Sequence, residues 1–252
     1  MPFKSVLLEN TPDSLQDLCL QACVENHQSW GKFCKFTSLF LGVNDGLSLP
    51  TELCEKLLQY QMQEDRDLDT YFVTIFGNTI CTRLKQISLK LCTLKDHEAD
   101  ILFKHELRVL ELIRMKVMLN NTFIWIIYIE FHFQVTPNVR KILNEYSQQL
   151  VSLTISECID FFPTHESSEL LISAPKLRKL VLHSVHVECG QQLFSSLFRG
   201  FPNLTYLDLS DCNSIGDLSY LVNCPNLTVL ILYNIVGLQD AISDICKLSN
   251  LR

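Results

Sequence analysis

One apolar pattern, LxxLxL, recurs along this 252-residue chain and constrains its fold more than any other feature. Six copies begin at Leu84, Leu107, Leu150, Leu177, Leu204 and Leu227, and a seventh start is available at Leu251. Most steps between successive starts are similar in length, and the step from Leu107 to Leu150 is the long exception. A near-constant period of this kind indicates units that cannot bury their apolar faces alone and that stack against one another.

This pattern is typical of leucine-rich repeats. The second and third apolar residues of each copy are expected to point from a short strand into the core, and the residue between them to face a concave surface. That surface is predicted to carry Thr154, Val181, Asp208 and Ile231. Apolar residues at helical spacing over 190–198 predict a helix in the second half of the repeat, ended by the turn at 201–204 with its proline. The predicted fold class is therefore α/β, with about six repeats forming a solenoid.

Cysteines stand three residues after the last apolar position in three copies, at Cys92, Cys158 and Cys212. A buried Asn or Cys at this place typically caps backbone groups of the turn, so we predict a structural role. The chain has 11 cysteines, an odd number, without a CxxC pair. Reduced thiols in the cytosol or nucleus are the simplest interpretation. A zinc site is the alternative, but structural zinc sites usually draw their ligands in close pairs. No metal or cofactor is predicted.

The long step contains a segment, 117–134, that resembles nothing else in the chain, and its removal would leave a step of ordinary length. The segment begins with Val, whose codons start GT, and ends with Phe-Gln, which TTTCAG encodes. A retained short intron and a genuine inserted strand or strand pair both explain it. A membrane span does not, because the apolar run 123–133 is about 11 residues long, holds Glu130 and His132, and falls short of the roughly 20 residues required.

Two segments near the N-terminus predict amphipathic helices. The first opens at Thr11-Pro-Asp13 and places Leu15, Cys19 and Cys23 on one stripe. The second follows Pro50 and aligns Leu49, Leu53 and Leu57. Each stripe fits either an ordinary helix packed on its own domain or a helix that inserts into a groove on another protein.

The sequence from Ser14 through Leu15 and Cys19 to Cys23 resembles the elongin C-binding box, and the sequence from Leu49 and Pro50 through Leu53 to Leu57 resembles the cullin-2 box. Both boxes ahead of leucine-rich repeats are similar to the Zyg-eleven/Zer-one family of substrate receptors of cullin-2 ubiquitin ligases, and closest to its Zer-one branch. The resemblance implies that Ser14, Leu15, Cys19 and Cys23 bind elongin C, itself joined to elongin B, and that Leu49, Pro50, Leu53 and Leu57 bind cullin-2.

Two departures from the family pattern limit what the resemblance transfers. Cys23 stands where the family has an aliphatic residue. Family members also continue into armadillo-like repeats, which recognise proteins with an N-terminal glycine, whereas this sequence stops at Arg252, partway into a repeat. We therefore interpret the sequence as C-terminally truncated, and we carry glycine recognition over to no residue.

The predicted organisation is a helical N-terminal region over 1–78, with the elongin C box at 11–24 and the cullin-2 box at 48–58, followed by repeats over 79–252. The predicted function is a non-catalytic adaptor of a ubiquitin ligase, cytoplasmic or nuclear, that binds an unknown protein substrate. The alternative is a leucine-rich scaffold unrelated to ubiquitin. A formal charge of −7 without a local basic cluster argues against nucleic acid. Catalysis is not predicted, because His183 and His186 follow a strand with no Cys, Ser or acid at a catalytic spacing.

Overall fold

The structure is a computed structural model that describes residues 22, 49–62, 68, 70–115, 142, 144–158, 173–185, 197–212, 215, 218–235 and 241–252. The elongin C box therefore lies outside the described residues except for Ala22, which is helical and exposed. The segment 117–134 also lies outside them.

Six parallel strands form one sheet in the order in which they occur along the chain. They are β1 Gln86–Lys90, β2 Val109–Ile113, β3 Ser152–Ser156, β4 Lys179–His183, β5 Tyr206–Asp208 and β6 Val229–Ile231. The first residue of each strand pairs with the first residue of the next. The register therefore advances by the same steps as the leucine pattern, the long one included. With the helices below, the sheet confirms the predicted α/β class.

Burial of the repeated leucines explains this register. All three apolar residues of the first five copies are buried, and in the sixth copy Leu227 is buried while Leu230 and Leu232 are partly buried against the same core. A fully buried leucine contributes roughly 1.5–3 kcal/mol, so a one-residue slip that turned these side chains outward would be strongly unfavourable. The residues between the buried pairs share one row, which contains the predicted Thr154, Val181, Asp208 and Ile231 and is only half-buried.

The helices vary in length and type. They are α1 Thr51–Met62, α2 Thr70–Val73, α3 Asp96–Phe103 and α4 Ile242–Ile245, with 3-10 turns at Thr74–Gly77, Ser147–Gln149 and Ser219–Asn223. Helix α3 lies in the second half of the first repeat, whereas the described residues at that place after β5 include the 3-10 turn Ser219–Asn223. Residues 197–199 are helical, and the rest of the predicted helix over 190–198 lies outside the described residues.

The same turn follows every strand. One residue of this turn has a positive φ of 50° to 57° after each of the six strands; these residues are Leu91, Arg114, Glu157, Ser184, Asp211 and Asn234. In the first five repeats the N–H of this residue donates to a carbonyl of the next repeat, as from Glu157 to His183 at 2.8 Å. The left-handed conformation therefore directs the backbone N–H of each of these five residues toward a carbonyl of the next repeat.

The long step between β2 and β3 leaves the sheet uninterrupted. The two strands pair directly along their whole length, and the Arg114 N–H donates to the Ser156 carbonyl at 2.9 Å. The pairing of β2 with β3 is therefore continuous, and both interpretations of segment 117–134 stay open. Among the described helices, none has the length and apolar character needed to cross a membrane.

Candidate functional site

The predicted cullin-binding stripe lies at the start of α1. The Pro50 carbonyl accepts from the N–H groups of Leu53 and Cys54, both at 3.0 Å, and so opens the helix. Pro50 is exposed, Leu49 and Leu53 are half-buried, and Leu57 is only 3% exposed. The stripe therefore runs from solvent into the core. Leu57 packs into the core and anchors the helix there. Pro50 and the exposed part of Leu53 form the surface that is open to a partner, and contact of this surface with cullin-2 stays a prediction.

Helix α1 is fastened to the beginning of the sheet by polar contacts as well as by its apolar face. The Leu49 N–H donates to the Cys81 carbonyl at 2.7 Å. One oxygen of the Glu55 carboxylate accepts from the N–H groups of Lys85 and Gln86, at 2.9 and 3.0 Å. Because Cys54 and Leu57 belong to the same core cluster as the strand leucines, the helix and the sheet share one core.

A cavity of about 560 Å³ lies between α1 and the first two strands. Charged residues of both signs line it, among them Glu55, Lys90 and Glu111. None of its described lining residues is a histidine or a cysteine, so these walls offer polar contacts but neither a thiol nor an imidazole.

The predicted elongin C-binding residues Ser14, Leu15, Cys19 and Cys23 lie outside the described residues. Their role stays a prediction that depends on the sequence pattern alone.

All three cysteines predicted to cap turns are buried. The Cys158 thiol lies within donor distance of the carbonyls of Ser156 and Leu112, at 3.3 and 3.5 Å, and the Cys212 thiol donates to the carbonyl of Leu182 at 3.0 Å. These two thiols contact backbone carbonyls as predicted, whereas the Cys92 thiol lies 4.0 Å from the sulfur of Met115. Burial raises the pKa of the Cys158 and Cys212 thiols to about 11, so they stay protonated and act as donors rather than as nucleophiles or metal ligands. Among the residues that the structure describes, no group of three or more His, Cys, Asp or Glu side chains could hold a metal ion.

Strand pairing brings together one polar row that the sequence analysis missed. The Ser156 hydroxyl lies 3.2 Å from Nδ1 of His183, and Nε2 of His183 lies 3.0 Å from a carboxylate oxygen of Asp211. Asn234 continues the row by donating to Asp211 at 2.7 Å. Each of these residues belongs to a different repeat, so their proximity could have been found only by aligning the repeats.

Although this row contains the residue types of a hydrolase triad, its geometry favours a structural role. In serine hydrolases the acid orients Nδ1 and the serine faces Nε2, whereas Ser156 and Asp211 have exchanged these places. The N–H that follows such a nucleophile commonly helps to stabilise an oxyanion. Here that N–H, of Glu157, is already bonded to the carbonyl of His183.

A second histidine, His105, bridges the first repeat to the turn before it. Its Nδ1 accepts from the Leu84 N–H at 3.2 Å, and its Nε2 donates to the Phe76 carbonyl at 2.9 Å. The tautomer is assigned from these two partners. Burial lowers the pKa of His105, because the charged imidazolium would lose its hydration. His105 is thus a neutral structural bridge.

Comparison with solved structures gives a weak likeness to the crystal structure of a TLR13–ssRNA13 complex, with a TM-score of 0.35 and 15% sequence identity over 80% of this chain and 33% of that one. A likeness at this score carries no argument about fold or ligand.

Sequence comparisons are more informative. Residues 195–252 match the family described as Zer-1-like leucine-rich repeats. The protein zer-1 homolog of Drosophila melanogaster is 28% identical over 216 residues, which is 83% of this chain and 24% of that protein. The mouse and human zer-1 homologs are each 23% identical over 269 residues, covering 98% of this chain and 32% of theirs. The chain thus spans about a quarter to a third of the length of these relatives, and the matches show that it is similar to Zer-1-like leucine-rich repeat proteins.

Proposed function

We propose that this chain is a non-catalytic substrate-recognition subunit of a cullin-2–elongin BC ubiquitin ligase. The observation that carries the proposal is the order of two docking boxes ahead of leucine-rich repeats in a relative of the zer-1 homologs. Such a subunit needs no nucleophile of its own, because it acts by holding a substrate lysine close to the ubiquitin donor.

The repeats supply the recognition part in this proposal. The six described strands, which follow one another at the steps of the leucine pattern, would be the strands of a leucine-rich repeat solenoid with its open face toward the substrate. A single buried cluster extends from Cys54 in α1 to Leu227 at the sixth copy of the pattern, which supports this interpretation. Half-buried side chains of varied chemistry along the central row would then contact the substrate.

The docking part begins next to the first repeat. Pro50 is exposed and Leu53 is partly exposed, while Cys54 and Leu57 anchor the same helix in the core. A ligase bound at this helix would therefore have a defined position relative to the strands. Two short docking segments on one chain also reinforce each other, because the first contact raises the effective concentration of the second.

The elongin contact is tested with the full chain co-expressed with elongins B and C and analysed by size-exclusion chromatography. We expect co-elution that Leu15→Asp abolishes. Leu20→Asp is the matched control, because it makes the same change at a position about 140° away from Leu15 around the predicted helix, off the stripe of the box. Absence of co-elution from a folded chain, or equal loss in the control, would leave a leucine-rich repeat scaffold without a ligase role.

The cullin contact is tested separately, in the presence of both elongins. Leu53→Glu adds charge at the partly exposed position of the box and should release cullin-2 while elongins B and C stay bound. Gln59→Glu introduces the same residue on the exposed face of α1 and should retain cullin-2. Leu57→Ala is unsuitable, because emptying this buried position would cost about 2–5 kcal/mol of folding free energy. Retention of cullin-2 by the Leu53 variant would overturn the assignment of the box.

A further inference from the structure

The border of the sheet at which the strands begin carries a group of exposed cations that is scattered in the sequence. We define this basic border by its six members: Arg83, Lys85, Arg108, Lys176, Arg178 and Lys179, all of them exposed. The residues before and after the first leucine of a repeat supply five of the six. Glu106 is the exposed acid at an equivalent place, and the Glu55 carboxylate nearby already accepts from two backbone N–H groups.

Two cations of the basic border have neutral partners. The Lys176 ammonium donates to the Gln149 side-chain oxygen, and the Lys179 ammonium lies 5.1 Å from the centroid of the Tyr206 ring. Within the described part of the chain, none of the six forms a salt bridge, whereas Arg114 at the opposite border is paired with Glu157 at 2.6 Å. The charge of Arg114 is therefore compensated by an acid, whereas no described acid forms a salt bridge with a cation of the basic border.

The spacing of these cations is set by the backbone. The residues that follow the first leucines are joined in one ladder, from Arg108 N–H to the Lys85 carbonyl at 2.7 Å, and onward through Val151 to Arg178 at 2.8 and 2.9 Å. Neighbouring strands lie about 4.8 Å apart, so Lys85 and Arg178 are separated by about 14 Å. An extended peptide covers that distance in roughly four or five residues.

The far end of the border opens into a depression of about 630 Å³. Arg178 and Arg252 line it together with Thr205 and Thr228. Both threonine hydroxyls donate to carbonyls of the ladder, which orients their side chains. A guanidinium group pairs with a carboxylate through two parallel hydrogen bonds, so this depression suits an acidic side chain.

We propose that the basic border is the docking surface for an acidic segment of a partner protein, bound across the strand beginnings with its carboxylates on Arg108 and Arg178. If the partner is the ligase substrate, this surface deepens the proposed function, and only this identification of the partner rests on that function. A short peptide is favoured over nucleic acid, because the chain carries a formal charge of −7, and because Glu111 and Asp208 in the central row and Asp211 at the opposite border lie within one strand length. These acids would repel a long polyanion.

Binding of a fluorescein-labelled peptide of about ten residues, alternating glutamate and serine, to the purified full chain tests the proposal by fluorescence anisotropy. We expect binding at about 50 mM salt that weakens strongly at about 300 mM, because the screening length of exposed charges, about 10 Å at 0.1 M, becomes shorter as the salt concentration rises. The double variant Arg108→Gln with Arg178→Gln should bind about tenfold more weakly. The matched control, Lys90→Gln with Arg114→Gln, removes the same charge from the other border and should change binding less than about twofold.

Three results would overturn the proposal: no binding to the wild-type chain at low salt, equal weakening in the two double variants, or tighter binding of a single-stranded oligothymidine of equal charge. Far-UV circular dichroism confirms that the variants are folded. The peptide assay contains neither elongin nor cullin, and elongin co-elution is measured on the same variants. Failure of peptide binding is therefore distinguishable from failure of the ligase proposal.

Discussion

Replacing His105 should make the chain less sensitive to acid, and the size of the effect follows from the two hydrogen bonds of its ring. The imidazole is 3% exposed, accepts from Leu84 and donates to Phe76. His105→Leu would leave that backbone N–H and that carbonyl buried without these partners. Since each buried unsatisfied group costs about 1–3 kcal/mol, we expect the two together to lower the free energy of unfolding by roughly 2–6 kcal/mol at neutral pH. His105→Gln retains one donor and one acceptor and should lose less.

The pH dependence separates the charge of His105 from its packing. Its pKa is lowered in the folded chain, whereas an unfolded histidine has a pKa of 6.5. At a pH between the native pKa and 6.5, the unfolded chain binds more protons than the folded chain does. The stability that neutral His105 contributes is therefore fully present above pH 6.5, and it decreases as the pH falls toward the native pKa. The slope is at most about 1.4 kcal/mol per pH unit for one group.

Urea unfolding followed by circular dichroism at several values between pH 7.5 and pH 5 measures this difference. Wild type should lose more stability than His105→Gln over the range below pH 6.5, with the difference growing by up to about 1.4 kcal/mol per unit. His97→Gln removes an exposed histidine and should follow wild type. Parallel losses in wild type and in His105→Gln would refute the neutral bridge.

Two further predictions concern the thiols and the long step. Iodoacetamide at about pH 8, with the modified peptides identified by mass spectrometry, should modify the exposed thiol of Cys246 in the folded chain. It should modify the buried thiols of Cys158 and Cys212, whose pKa is about 11, only after unfolding. Equal modification rates for all three thiols would contradict the capping role of Cys158 and Cys212. Deletion of 117–134 leaves a step of ordinary length. If the segment is a retained intron, the free energy of unfolding of the deleted chain should stay within about 0.5 kcal/mol of the value for the full chain. A clear decrease would favour a genuine inserted strand, and sequencing of the transcript across the junction decides independently.

The strands and their register could be predicted because the leucine pattern has one physical solution. Leu153 and Ile155 must point the same way to be buried, which fixes Thr154 on the opposite face. Leu180 and Leu182 obey the same constraint in the next repeat, and they pair with Leu153 and Ile155. The capping cysteines were predictable for the same reason, since their position is counted from the buried leucines.

Features that depend on contacts between repeats could not be predicted. Helical periodicity placed Leu57 beside Leu53 but did not show that the stripe turns into the core, because that depends on how α1 packs against β1. The cations of the basic border appear isolated along the chain, and only the strand register gathers Lys85, Arg108 and Arg178 into one surface.

The left-handed residue after each strand has a consequence for how freely these turns can vary. An ordinary side chain in this conformation costs about 1–2 kcal/mol, yet glycine, which avoids that strain, loses roughly 0.5–1 kcal/mol more through the greater freedom of the unfolded chain. The two costs nearly offset each other, so folding selects only weakly among residues as different as Leu91, Glu157 and Asn234. Each turn is therefore a site where the chain can acquire new surface chemistry by mutation with little effect on its architecture.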